Sequence, residues 1–135
     1  MEIELATLED VEEISRINRM LNHGRNIWSD RGFIKEMVDY HNYFVLKNGR
    51  VCGAIGIEVY EEEAEIVTLA IEKDSRGLGF GRKLVDFVID EARGVDTELL
   101  VVGSARKYKA EDFYLKCGFK LDYSDDEYHV FTMKL

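Results

Sequence analysis

A glycine-rich segment over residues 76–83 has the residue types of a phosphate-binding loop. It follows a predicted strand and opens a predicted helix. Glycine has no Cβ, so the backbone can turn tightly there and approach a ligand closely. The first N–H groups of a helix have no partner within the helix and, with the helix dipole, attract anions. The segment therefore predicts a pyrophosphate site. Its glycines are Gly77, Gly79 and Gly81, and its positive charges are Arg76, Arg82 and Lys83.

Other phosphate-binding motifs fit this segment less well. The Walker pattern GxxxxGK[ST] is absent from the chain. The spacing here is GxGxG, whereas the dinucleotide fingerprint is GxGxxG near a first strand. These differences disfavour a generic nucleotide-binding domain. A flexible strand–helix turn with solvated charges is the alternative interpretation of the loop, because short motifs also occur by chance.

Hydrophobic periodicity predicts the elements that position the loop. The predicted order is β-α-α-β-β-β-α-β-α-β-β, with the loop after a central fourth strand at 65–71. This mixed order predicts an α/β (α+β mixed) fold in which helices pack on a mostly antiparallel sheet. An apolar stretch at 99–102 is expected to be a strand buried on both faces.

Capping and turn residues predict where the early elements begin and end. Thr7, with Asp10 three residues later, predicts a capping box at the first helix, and Ser29 is the expected N-cap of the second. The first helix is expected to end at residues 22–24, Asn-His-Gly. Asn48-Gly49 predicts a two-residue hairpin between the second and third strands.

Length and composition limit the classes of protein. The 135 residues predict a single domain, 1–135, and 46% hydrophobic residues can form a core. A formal charge of −9 is the wrong sign for a general nucleic-acid binder. The sequence contains no apolar run of about 18 residues, so no membrane span is predicted. The N-terminus lacks the pattern of a signal peptide, and we therefore expect the protein to be cytoplasmic. The cysteines, Cys52 and Cys117, and the scattered histidines have no metal-binding spacing, so no metal is expected.

Two separate segments resemble the GNAT (GCN5-related N-acetyltransferase) superfamily. Residues 76–81 match its (Q/R)xxGx(G/A) loop, and 110–119 resemble its A-x-x-x-Y-x-x-x-GF segment. The order and separation of the two segments also agree with the family. The resemblance covers nearly the whole chain and implies the GNAT fold, a sheet of six to seven strands flanked by helices.

The resemblance also implies how acetyl-coenzyme A (acetyl-CoA) is held. The backbone at the end of the fourth strand is expected to pair with the pantetheine amides as if the cofactor were an added strand. The N–H groups of the glycine-rich loop are expected to hold the pyrophosphate. The implied cofactor-binding residues are Leu69, Ala70, Ile71, Arg76, Gly77, Leu78, Gly79, Phe80, Gly81, Arg82 and Lys83.

Tyr114 and Glu65 are the implied catalytic residues. Tyr114 corresponds to a tyrosine that often lies near the thioester sulfur, and a phenol with a pKa of about 10 remains a proton donor at neutral pH. Glu65 lies in a segment that resembles the one carrying the general base in histone-type members. Glu58 or a water chain is the alternative base. The structural alternative for Tyr114 is a tyrosine that packs in the core. The structural alternative for Glu65 is an ordinary charged residue at the start of a strand.

One position departs from the family pattern. Many members have an asparagine three residues before the alanine of the second segment, where this chain has Lys107. Lysine has no acceptor. Its ammonium could contact a phosphate or remain solvated.

The function implied by the resemblance is transfer of an acetyl group from acetyl-CoA to a primary amine, by direct attack in a ternary complex. The acceptor is a small molecule or a peptide amine, and the acidic stretch 58–65 would attract a cationic one. Trp28 is either a core anchor or a wall of the acceptor pocket. A non-catalytic sensor that binds acyl-CoA is the alternative function, and a homodimer through the terminal hairpin is possible.

Overall fold

The computed structural model of the chain describes residues 2–22 and 26–135. Within these residues the elements follow the predicted order. The strands are β1 Glu2–Leu5, β2 Tyr43–Lys47, β3 Val51–Tyr60, β4 Glu63–Ile71, β5 Leu99–Ala105, β6 Lys120–Ser124 and β7 Tyr128–Lys134. The α-helices are α1 Val11–Asn18, α2 Arg31–Asp39, α3 Phe80–Arg93 and α4 Glu111–Lys116.

The strands form one mixed sheet in the order β1-β2-β3-β4-β5-β7-β6. β4 and β5 pair in parallel, whereas β1–β2, β2–β3, β5–β7 and β6–β7 pair antiparallel. A parallel pair needs a long crossover connection, and α3 lies within the one between β4 and β5. The prediction of a mostly antiparallel sheet flanked by helices, with β4 in a central position, is confirmed.

The chain divides into two compact units. The first contains the residues up to Ile57 together with Thr68–Leu84, and the second contains Glu58–Val67 and Val85–Leu135. β4 and α3 each run from one unit into the other. The glycine-rich loop therefore belongs to the first unit, whereas Glu65 and Tyr114 belong to the second.

One turn and one helix N-cap in the first unit differ from their predictions. The β2–β3 connection has three residues rather than two, because the register shifts after Leu46 and Lys47 lies opposite Val51. Gly49 supplies the left-handed conformation of that turn, with φ of 78°. The N-cap of α2 is Asp30 and not Ser29, because the Asp30 carboxylate accepts a hydrogen bond from the Phe33 N–H at 2.9 Å.

The start and end of α1 are set by different features. The predicted capping box is present: the Asp10 carboxylate accepts from the Thr7 N–H at 2.9 Å. Thr7 is the N-cap of a 3₁₀ turn, Leu8–Asp10, that leads into α1. At the other end α1 continues as a 3₁₀ turn, Arg19–Leu21. The predicted stop at His23 and Gly24 lies outside the described residues.

In the second unit α4 packs beside the β6–β7 hairpin. Gly118 ends this helix as predicted, with φ of 101°, a conformation that L-residues rarely adopt. β5 is longer than predicted and is buried mainly on one face: Leu100 and Val102 are buried, whereas Leu99 and Val101 are partly exposed. The expectation that this strand is buried on both faces was therefore wrong.

Candidate functional site

The glycine-rich loop forms an open cradle at the start of α3. Gly77 and Gly79 have φ of 79° and 83°, so both glycines are required by the backbone conformation. A Cβ added at either position would meet no atom within 4 Å. The space beside the backbone is therefore open to a ligand. Gly81 lies inside the first turn of α3, where the helix sets its conformation.

Positive charge surrounds this cradle. Arg82 and Lys83 are exposed on the first turn of α3. Arg76 turns back toward β4, and its guanidinium donates to the Ile71 carbonyl at 3.1 Å and contacts the Met20 sulfur at 3.2 Å. Alternating left-handed residues at a helix N-terminus, with cations beside them, suit an anion such as a pyrophosphate.

Glu72, which no sequence motif indicated, anchors the backbone directly after β4. The Glu72 side chain is only 17% exposed and forms ion pairs with Arg16, at 3.2 Å, and with Arg50. Its N–H also donates to the Cys52 carbonyl at 2.8 Å. These contacts anchor the backbone just before the loop. The partners are 56 and 22 residues away in sequence, so no local pattern indicates them.

The strand segment before the loop presents one buried and two partly exposed residues. Ala70 is buried, and Leu69 and Ile71 are partly exposed on the other face. The paired register of β4 with β5 runs from Glu63 to Ile66, so all three lie further along the strand. Leu78 is 64% exposed between the two left-handed glycines, and Phe80 is partly buried.

Glu65 lies in β4 of the second unit, opposite Val101 of β5. Partial burial raises the pKa of its carboxyl group, and the nearby Glu58 carboxylate raises it further. Glu58 itself accepts a hydrogen bond from the Tyr60 phenol. A base with a raised pKa is a better match for proton transfer near neutral pH. Glu58 is engaged by a neighbour, so Glu65 is the stronger candidate of the two.

Tyr114 lies inside an aromatic cluster formed by α4, β7 and the residue just before β6. Its ring centroid is 5.3 Å from that of Phe131, 5.0 Å from that of Phe113 and 5.8 Å from that of Phe119. Burial raises the pKa of the Tyr114 phenol, so it stays protonated across the neutral range. Lys107, at the position that departs from the family pattern, lies over the ring of Tyr108 at 5.4 Å.

The structure does not bring Glu65 and Tyr114 to one face of the sheet. Phe131, which packs against Tyr114, lies opposite Val102, and Val102 lies opposite Ile66. Directly paired residues point to the same face, and successive residues point to opposite faces. Glu65 therefore points away from the face that holds Tyr114.

The raised pKa of Glu65 has a consequence for stability. The folded protein holds this proton up to a higher pH than the unfolded chain does, so stability falls as pH rises through that interval. We expect Glu65→Gln to raise the free energy of unfolding at pH 7 and to leave it unchanged at pH 3, where the carboxyl is protonated in both states. Urea unfolding at both pH values measures this. Glu63→Gln, at the exposed start of the same strand, is the control, and an equal effect of both variants would contradict the prediction.

Neither a membrane span nor a metal site is found in the described residues. Across 2–22 and 26–135, no helix is both long and apolar enough to span a membrane. In the same part of the chain, no three histidine, cysteine, aspartate or glutamate side chains group as metal ligands would.

Comparison with protein families identifies the chain. A family model described as an acetyltransferase (GNAT) domain matches residues 39–121, which is more than half of the chain. The chain belongs to the GNAT acetyltransferase family. The match includes both the glycine-rich loop and the segment that carries Tyr114.

Curated relatives in the GNAT family come from several bacteria. A [ribosomal protein bS18]-alanine N-acetyltransferase of Escherichia coli (strain K12) is 32% identical over 95 residues, covering 68% of this chain and 64% of the relative. A putative enzyme of the same name from Bacillus subtilis (strain 168) is 25% identical over 117 residues, covering 84% of this chain and 76% of the relative. The chain thus spans less than two thirds of the length of the E. coli relative.

Solved GNAT structures show the same fold over nearly the whole chain. The PaiA N-acetyltransferase of Thermoplasma acidophilum, in complex with coenzyme A, matches with a TM-score of 0.88 at 14% identity, covering 99% of this chain and 98% of that one. The ribosomal-protein-alanine N-acetyltransferase of Brucella melitensis matches with a TM-score of 0.85 at 18% identity, covering 100% of both chains. At these identities the likeness establishes the GNAT fold.

Proposed function

We propose that this chain transfers the acetyl group of acetyl-CoA to a primary amine, by direct attack in a ternary complex. The observation that carries the proposal is the cradle of Gly77 and Gly79 at the start of α3, with its exposed cations. The family match supports it, because that match spans the cradle and the segment around Tyr114. We also propose that the two units act as one domain, 1–135, since β4 and α3 run through both.

The residues of the cradle fit a pyrophosphate. Gly77, Gly79 and the first turn of α3 offer backbone N–H groups, while Arg82 and Lys83 offer charge. Leu69, Ala70 and Ile71 are the proposed backbone partners of the pantetheine amides. Bound acetyl-CoA supplies an activated acetyl group. What the protein adds is orientation, which by itself lowers a reaction barrier by several kcal/mol.

Two side chains are proposed to move protons at different atoms. Tyr114 donates its phenolic proton to the departing sulfur, and its raised pKa keeps that proton available. Glu65 takes a proton from the amine, acting through water, because it points away from the face of Tyr114. The amine nitrogen and the leaving sulfur are bonded to the same carbon in the tetrahedral intermediate, so Glu65 can serve as the base only if a chain of water molecules connects it to that nitrogen.

The acceptor that we propose to test first is an N-terminal alanine of a ribosomal protein. The curated relatives from E. coli and B. subtilis are named for that reaction. A small amine is the other acceptor class. We propose the cytoplasm as the compartment, since the acceptor of those relatives is a ribosomal protein.

The direct test is acetyl-CoA binding by calorimetry, followed by acetyl transfer to an Ala-initiated peptide and to a panel of small amines. We expect binding and turnover of at least one acceptor. Binding without turnover on any amine would instead favour an acyl-CoA sensor. If the folded protein does not bind acetyl-CoA, the proposed function is wrong and only the family membership of the chain stands.

The role of Glu65 has its own test in the pH profile of kcat/KM. A base must be deprotonated to act, so we expect activity to be lost as pH falls through the raised pKa of Glu65. Glu65→Gln should lower kcat/KM and remove this acidic limb. An unchanged limb in Glu65→Gln would assign the base to another group, and Glu58→Gln would then be the next variant.

A further inference from the structure

His129, the second residue of β7, connects three elements of the second unit. Its Nδ1 lies 2.6 Å from the hydroxyl oxygen of Ser124, the last residue of β6. Its Nε2 lies 3.8 Å from the Oε2 of Glu111, the first residue of α4. The side chain of His129 is only 17% exposed, whereas that of Glu111 is 46% exposed. The imidazole therefore ties α4 to the β6–β7 hairpin, and we call these three side chains the histidine bridge.

The Glu111 carboxylate determines which nitrogen of the neutral imidazole carries the proton. A carboxylate only accepts hydrogen bonds, so it repels a lone pair on Nε2 and attracts an N–H there. The proton therefore lies on Nε2, and Nδ1 accepts from the Ser124 hydroxyl. When the imidazole takes up a second proton, the hydroxyl can rotate and accept from Nδ1, while the contact with Glu111 becomes an ion pair. The histidine bridge is thus maintained in both protonation states.

The histidine bridge lies on the sheet face that holds Tyr114. Residues two apart on a strand share a face, so His129 and Phe131 point to the same side. Their ring centroids are 6.0 Å apart, and the Phe131 ring in turn packs on that of Tyr114. Phe131 is fully buried. A path of ring contacts therefore leads from the imidazole through Phe131 to the phenol.

A second connection to Tyr114 runs along α4. Glu111 and Tyr114 are three residues apart, so they are neighbours on the surface of the helix. α4 has only six residues, and so short a helix has little stability of its own, so contacts with the sheet must hold it in place. Its C-terminal end is followed closely by β6. The histidine bridge holds its other end, the turn that leads into Tyr114.

We propose that His129 is a positioning residue that, through Glu111 and Phe131, holds the phenol of Tyr114 in place for its role as proton donor. Loss of the histidine bridge allows the first turn of α4 to move away from the hairpin, so the phenol is less often in position to protonate the leaving sulfur. The chemical step slows, while the cradle in the first unit keeps its affinity for acetyl-CoA. The catalytic part of this inference rests on the proposed function.

The first experiment follows the Tyr114 ring by fluorine NMR. Labelling with 3-fluorotyrosine gives each of the seven tyrosines its own signal, and Tyr114→Phe assigns the one that matters. We expect Glu111→Gln and His129→Leu to shift or broaden the Tyr114 signal in protein that is folded by circular dichroism. Asp112→Asn, which removes a charge from the same turn of α4, is the matched control and should leave that signal unchanged. An unchanged Tyr114 signal in both bridge variants would overturn the positioning role.

The second experiment is a double-mutant cycle in the acetyl-transfer assay. We expect His129→Leu to lower kcat about three- to tenfold, the worth of one hydrogen bond, with the Kd for acetyl-CoA unchanged. His129→Gln keeps an N–H donor that can reach Glu111 and should restore most of the rate. In a Tyr114→Phe background, His129→Leu should cost nothing further, because its effect passes through the phenol. An equal loss in both backgrounds would show that His129 does not act through Tyr114.

The two experiments distinguish a failure of this inference from a failure of the proposed function. If the wild type transfers no acetyl group, the proposed function fails and the catalytic part of the inference with it, while the fluorine signals still decide whether His129 positions Tyr114. If the wild type is active and the Tyr114 signal shifts, but His129→Leu retains the wild-type kcat, the catalytic part alone is wrong.

Discussion

Gly79→Glu is expected to weaken acetyl-CoA binding about 100-fold, since a like charge placed against a bound anion costs several kcal/mol. Gly79 lies in the open cradle before α3, where a Cβ meets no atom within 4 Å. The glutamate side chain would occupy the space proposed for the pyrophosphate and bring a negative charge to it. Calorimetry with acetyl-CoA measures the loss, and circular dichroism checks that the variant is folded.

Two control variants separate charge from backbone strain in this experiment. Gly49 in the β2–β3 turn has φ of 78°, close to the 83° of Gly79, and also has no atom within 4 Å of an added Cβ. Gly49→Glu therefore carries similar strain and the same charge away from the cradle, and should leave acetyl-CoA affinity unchanged. Gly79→Ala carries the strain alone and should reduce affinity less. If Gly49→Glu weakens binding as much as Gly79→Glu, the cradle assignment is wrong.

Local sequence features predicted the cradle well, because its properties are local. Left-handed backbone at Gly77 and Gly79 is a property of glycine itself, and the position before α3 follows from the apolar periodicity of that helix. Pairing between strands was harder to predict. The β2–β3 turn has three residues because the register shifts at Leu46 and Lys47, which the Asn48-Gly49 pair cannot reveal.

Features that depend on distant residues could not be predicted from spacing. The N-cap of α2 is a local exception, since the Asp30 carboxylate accepts from the Phe33 N–H three residues later and Ser29 was predicted instead. The Ser29 hydroxyl instead accepts from the Asn22 amide at 3.0 Å. The ion pairs of Glu72 and the histidine bridge join residues that only the fold brings together. Sequence spacing alone also did not predict that Glu65 and Tyr114 lie on opposite faces, because that follows from registers across β4, β5 and β7.

Tyr114→Phe is expected to lower kcat about 100-fold, the lower end of what a general acid contributes. Phenylalanine keeps the ring that packs on Phe119 and Phe131, so the aromatic cluster should survive. Only the phenolic hydroxyl is removed, and it carries the proton proposed for the leaving sulfur. Because the raised pKa of Tyr114 keeps the phenol protonated, we expect the loss in kcat to be constant from pH 6 to pH 9.

Steady-state kinetics and acetyl-CoA calorimetry on the same protein distinguish the two roles open to Tyr114. A proton donor predicts a large fall in kcat with an unchanged Kd for acetyl-CoA and an unchanged melting temperature. A core tyrosine predicts little change in kcat, Kd or melting temperature, because phenylalanine keeps the ring and the packing of that ring would then be the whole contribution of Tyr114. Tyr123→Phe, on exposed β6, controls for loss of a phenol as such. An acetyl transfer rate in Tyr114→Phe equal to that of Tyr123→Phe would show that the thiolate leaves without help from this residue. The rate would then depend on orientation in the glycine cradle and on removal of the amine proton.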